Sequence, residues 1–170
     1  MNHNKQFRIL AIALTSRGFG YAVMEGDSTL IDFGKKVINA EKNARSLGHI
    51  EKIIGRNCPD ILVVDDVHAK GTYRAARIKK LHKSLLMMAR KHKLKVEKLA
   101  GMELRRALLG DEKGTKHGMA QLLAKQFPDD LASRLPPKRK AWASEDVRMD
   151  IFDAVALAVT AQTKNFGKGA

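Results

Sequence analysis

The chain has 170 residues, 44% of them hydrophobic and 5% aromatic, which fits one soluble α/β domain over residues 1–170 with a core that needs no staples. Lys and Arg number 32 against 18 Asp and Glu, giving a formal net charge of +14 and an isoelectric point near 10.1; a polyanion, nucleic acid above all, is the economical partner for such a surface. A lone cysteine, Cys58, excludes an intramolecular disulfide and a Cys-rich zinc site, and no apolar run reaches the ~18 residues a bilayer span needs.

Residues 1–6 carry no apolar secretion segment, so a cytoplasmic, reducing location is expected. Residues 7–14 are rich in Ile, Leu and Ala without polar interruption, as in a buried central strand. Residues 18–24 alternate as a hairpin partner, Gly26-Asp-Ser marks a turn, and 30–38 read as a third strand. Over 41–57 the period becomes helical, with Ala44, Leu47, Ile50, Ile53 and Ile54 on one face and Lys42, Arg45, Lys52 and Arg56 on the other. Pro59-Asp60 ends that helix, and Cys58 before it is expected to be half-buried. Residues 61–64 form a fully apolar strand of parallel-sheet type.

Gly71 is expected to open a long helix to about residue 93, with Ala75, Ile78, Leu81, Leu85 and Met88 on one stripe. A strand at 94–99 follows, then helices near 102–109 and 115–127 around the turn Gly110-Asp-Glu-Lys-Gly114. Residues 128–143 read as a proline- and cation-rich loop, and a last helix runs from Ser144 to about residue 163. The order predicts a mixed five-stranded sheet, three antiparallel strands and then parallel ones, with helices on both faces.

Two carboxylate clusters stand out. Asp65 and Asp66 close the strand at 61–64, where open α/β sheets place their ligands. Asp146, Asp150 and Asp153 are spaced four and three apart, which on a helix puts all three on one face, with Glu145 beside them. Unpaired they repel, so such a stripe needs a cation, either basic side chains or divalent metal. Magnesium suits a loose group of carboxylates from different elements, and two ions about 3.5–4 Å apart can activate water against a phosphodiester. A plainer role also fits Glu145 and Asp146: behind Ser144 as N-cap, they complement the helix dipole. Asp153 precedes a small apolar stretch and needs a partner.

Taken together, these residues resemble the RuvC-type Holliday junction resolvases of the ribonuclease H-like superfamily. The hairpin from Ile9 to Val23 resembles their first motif, and Pro59-Asp-Ile-Leu-Val-Val-Asp-Asp-Val their second. The helix, glycine turn and lysine from Leu104 to Met119 resemble the third region, and Asp150-Ile-Phe-Asp-Ala-Val-Ala-Leu-Ala-Val the last. The four occur in the family's order over nearly the whole chain. The resemblance implies metal ligation by Asp65, Asp150 and Asp153, with Mg²⁺ or Mn²⁺ as cofactor; Asp66 and Asp146 are extra to the family pattern and are expected to assist. It implies catalytic roles for Asp65, Asp153 and Lys116, the last contacting phosphate at a helix start. It further implies a homodimer acting on branched DNA, with the long helix from Gly71 lining dimer and junction.

Basic residues suited to phosphate are Lys70, Arg74, Arg77, Lys79 and Lys80, then Arg105, Lys113, Lys138, Arg139 and Lys140. Their alternative is a solvated face. Trp142 is either a stacking platform for an unpaired base or a packing anchor, and His117 is a candidate for proton transfer.

The chain departs from the family pattern at two places. Ala13 stands where the family has its first metal-binding aspartate, and Asp65 replaces a longer glutamate. Two readings follow. One is a divergent, metal-dependent structure-selective endonuclease with a site rebuilt from Asp66, Glu145 and Asp146; the other is a catalytically inactive nucleic-acid-binding module of the same fold.

Overall fold

The computed structural model describes residues 6–166, and the expectation for residues 1–6 falls, but for Gln6, outside them. Strands β1 (Arg8–Leu14), β2 (Gly18–Glu25) and β3 (Thr29–Val37) form an antiparallel meander. Helix α1 (Lys42–Asn57) leads to β4 (Ile61–Asp65), and α2 (Ala76–Lys91) leads to β5 (Lys95–Leu99). Then come α3 (Gly101–Leu109), α4 (Lys116–Gln126), the short α5 (Pro128–Leu131) and α6 (Met149–Phe166). The sheet order is β3-β2-β1-β4-β5, with β1, β4 and β5 mutually parallel. This is the mixed five-stranded sheet expected. No helix among the described residues is long and apolar enough to cross a membrane.

Strand β1 reads as an unbroken apolar run because both faces are covered. Ile9, Ala11 and Ala13 belong to the core shared with α3, α4 and α6, whereas Leu10, Ile12 and Leu14 belong to the core shared with α1 and α2. On the first side the sheet presents small residues, and α6 answers with Ala154, Ala156, Ala158 and Ala161, all buried. The closest approach is at Gly20, paired with Ala13 across the strands. A Cβ at Gly20 would run into the Asp150 carbonyl, so glycine there seats the start of α6 directly on the strand ends.

Three element boundaries differ from expectation. Helix α2 starts at Ala76, not Gly71: Gly71 takes a left-handed φ of 81°, and residues 72–75 stay outside the helix, with Arg74 turned back toward the sheet. Ala75 is accordingly exposed instead of lying on the helix stripe. Helix α6 starts at Met149, not Ser144; Asp146 forms a turn before it, its Oδ1 accepting from the Arg148 N–H at 2.9 Å and its carbonyl from Met149 at 3.0 Å. Asp146 therefore does not share a helical face with Asp150 and Asp153. The stretch at 128–143 begins with α5 and a 3-10 turn over Ala132–Arg134, started by Pro128 at the first helical position. Cys58 is exposed, because it closes α1 in a left-handed conformation and its N–H caps the Ile54 carbonyl at 2.8 Å.

Candidate functional site

The carboxyl ends of β1, β4 and β5 open into a cleft of about 630 Å³. Its wall carries Ala13, Asp65, Arg74, Lys116, Glu145 and Asp153. The two carboxylate clusters of the sequence thus meet in one place, and Asp65, Glu145, Asp150 and Asp153 each have a basic neighbour.

Asp65 ends β4, with about 28% of its side chain exposed, and forms an ion pair with Arg74. The other end of the Arg74 guanidinium donates to the Leu14 carbonyl at 3.1 Å. One cation therefore ties the end of β1 to the end of β4. Below it, His82 of α2 is buried and its Nε2 lies 3.0 Å from the Asp65 carbonyl. Burial pushes the His82 pKa down, which keeps the ring neutral, so Nε2–H is the donor. The Asp65 carboxyl is pushed above its usual range by burial, against the pull of Arg74.

Asp150, in the first turn of α6, is wholly buried. Its Oδ1 accepts from Arg17 at 3.1 Å and its Oδ2 from the Thr15 hydroxyl at 3.3 Å. Arg17 and Thr15 both lie in the β1–β2 turn, and Arg17 also donates to the Glu145 carbonyl. Burial raises the Asp150 pKa, with Arg17 opposing.

Asp153, one turn further along α6, keeps about 22% of its side chain exposed and lies 3.4 Å from Lys116 Nζ. The same ammonium is 3.4 Å from Glu145 Oε1. Burial raises the Asp153 pKa to about 6 despite Lys116, with Glu145, Asp65 and Asp150 adding like-charge repulsion. Lys116 itself is held above its usual range: burial lowers it, but Asp153 and Glu145 outweigh that.

Glu145, Asp150 and Asp153 each offer an oxygen within 4.8 Å of the others. Of the five acids expected to hold metal, Asp150 and Asp153 are in this group; Glu145 joins them, and Asp65, Asp66 and Asp146 are not part of it. Asp146 turns to Arg148 at 2.7 Å, which with a backbone hydrogen bond holds its carboxyl down at about 2. Asp66 lines the cleft, but its Oδ1 accepts from the His68 N–H at 3.1 Å and closes a turn.

A pair of divalent ions does not fit this donor set. Ala13 supplies a buried methyl, 3% exposed, and so no oxygen ligand at the end of β1. Asp65 and the Leu14 carbonyl are taken by Arg74, and both Asp150 oxygens are taken by Arg17 and Thr15. Glu145, Asp150 and Asp153 come within 4.8 Å of one another, so a single ion could draw on them only by displacing Lys116 and the Arg17 and Thr15 hydrogen bonds.

The basic residues divide in two. Arg74 and Lys116 sit in the cleft, as does Arg105, whose Nε donates to the Glu112 carbonyl at 2.7 Å. Arg77 is tied to Asn43 at 2.9 Å and to the Ser16 carbonyl at 3.3 Å. Lys70, Lys79, Lys80, Lys113, Lys138, Arg139 and Lys140 are exposed. Lys70 and Arg74 precede α2 and do not share its face. Trp142 is 70% exposed, with Lys140 Nζ 4.9 Å from its ring centroid; a packing anchor would be covered. His117 is half-buried beside Lys116.

Sequence reasoning missed Arg17 and His82. An arginine in a tight turn reads as solvated, and the signal available was its place four residues after Ala13, above the strand end. His82 carried no such signal, because its partner is a backbone carbonyl.

No protein-family model matches this chain, and no curated protein matches it. Solved structures do. The RuvC structure of Thermus thermophilus superposes with a TM-score of 0.69 at 17% identity, over 95% of this chain and 97% of that one. T. thermophilus RuvC in complex with Holliday junction substrate gives 0.69 at 16% identity, over 95% and 96%. The yeast mitochondrial Holliday junction resolvase Ydc2 gives 0.64 at 13% identity, over 96% of this chain and 82% of that one. The chain has the RuvC-like, ribonuclease H-like fold.

Proposed function

We propose that this chain binds branched DNA of the four-way-junction kind as a homodimer, with the carboxylate cleft at the centre of the contacting face. The reading rests on the shared fold, since one protein of that fold is seen with a Holliday junction substrate. It rests equally on the formal charge of +14. The observation that carries it is the gathering of Asp65, Glu145, Asp150 and Asp153 at the strand ends, beside Lys116 and Arg105; the exposed basic residues and Trp142 add to it. In this reading Lys70, Lys80, Lys113, Lys138, Arg139 and Lys140 hold phosphates. A cytoplasmic location goes with it.

A second reading is favoured by the mutual approach of Glu145, Asp150 and Asp153 within 4.8 Å. A Mg²⁺ or Mn²⁺ ion on these three would make the chain a divergent endonuclease. The test is to incubate the protein with labelled four-way junction, duplex and single-stranded DNA in Mg²⁺ and Mn²⁺. Retardation of the junction without cleavage supports the binding protein, and cleavage that Asp153→Asn abolishes establishes the enzyme.

A further inference from the structure

We propose that Arg17, Arg74 and Lys116 are resident counter-cations that take over the charge role of divalent ions at this centre, so that the chain folds and holds DNA without metal. Its DNA half rests on the reading above.

The three cations come from three separate elements, the β1–β2 turn, the segment before α2 and the first residue of α4. Each reaches the carboxylates from a different side. Arg74 bridges Leu14 and Asp65, and so lies between the ends of β1 and β4. Arg17 covers Asp150 and ties down the segment carrying Glu145. Lys116 lies between Glu145 and Asp153.

Four carboxylates face three cations here, an excess of one negative charge. A pair of divalent ions added to that set would leave it strongly positive unless the arginines withdrew. Withdrawal is costly for Arg17, because Asp150 is fully buried and would be left as an unpaired charge. Position 13 fits the same arrangement. A carboxylate there would add a fifth negative charge, which the three cations could not balance, whereas a methyl adds none. The alanine and the arginines are therefore one arrangement: the ligand is absent where the cations have made it unnecessary.

The test uses the whole chain, as wild type and as Arg74→Gln, which frees Asp65 at a partly exposed position. Mn²⁺ alone is titrated by calorimetry, and melting is followed in chelator and in Mn²⁺. Wild type is expected to give no saturable heat, with melting points agreeing within about 1 °C, whereas Mn²⁺ raises the Arg74→Gln melting point by about 3 °C or more. Junction affinity of wild type stays within about twofold between chelator and Mn²⁺ at matched ionic strength. Saturable Mn²⁺ uptake by wild type that Asp153→Asn removes overturns the inference in favour of a divalent centre. An Arg74→Gln chain as indifferent to Mn²⁺ as wild type overturns it too. Loss of junction binding under every condition refutes the DNA reading instead, and leaves the metal titration to decide this one.

Discussion

Arg17 and Asp150 stand 133 residues apart and meet at 3.1 Å, the carboxylate with no exposed surface and the guanidinium side chain 32% exposed. This pair closes the β1–β2 turn onto the start of α6. Removing the cation strands a buried charge, which costs more than the pair itself contributes. Arg17→Met is expected to destabilise the fold by about 2–3 kcal/mol, below the ~3–5 of a fully enclosed pair because Arg17 keeps some water. Urea unfolding at pH 7 measures it. The loss should shrink in acid, where Asp150 protonates.

Gly20→Ala tests how α6 is seated. The added methyl meets the Asp150 carbonyl, a backbone atom that cannot rotate away. The helix start must lift, and a cost of about 2–3 kcal/mol is expected in thermal unfolding. Gly48→Ala, on an open face of α1, is the control; it should be neutral or slightly stabilising, since alanine favours helix.

Asp153 sets a pH dependence with a definite sign. Its pKa rises from 3.8 to about 6 on folding, with burial the largest cause. The folded state thus holds the proton more tightly, and stability from this group is full below about pH 4 and is lost as pH rises through 6. Asp153→Asn should therefore be more stable than wild type at pH 7, by about 1–3 kcal/mol, with the gap closing by pH 4. A gap independent of pH would show that packing, not charge, governs the site.

The β-strands were legible because their apolar runs are short and bounded by turn residues. The two misplaced helix starts share a cause. Ser144-Glu145-Asp146 reads as a cap with an acidic first turn, and Gly71 to Ala75 reads as a helical stripe. In both, the chain stays out of the helix so that one side chain can reach the cleft, Glu145 toward Lys116 and Arg74 toward Asp65. Tertiary ion pairs override local propensity there. The need of the acidic stripe for a cation was also legible. Which cation was not, because Arg17 and Arg74 lie far from α6 in sequence and only the fold brings them in.

The basic loop and Trp142 divide the DNA-binding surface into two kinds of interaction. Replacing Lys138, Arg139 and Lys140 with Gln should weaken binding to every DNA form and reduce the salt slope by about 0.9 for each phosphate no longer neutralised. Trp142→Ala should cost about 1–3 kcal/mol with DNA that offers an unpaired base, and little with duplex. Fluorescence anisotropy across a salt series separates the two.

Most direct is the affinity of the wild-type chain for a labelled four-way junction, measured in chelator against duplex of the same length and sequence. Junction binding is expected to be salt-sensitive, intact without divalent metal, and at least about tenfold tighter than duplex. No retardation of the junction at ~50 mM salt, or retardation that appears only when Mn²⁺ is added, would contradict it.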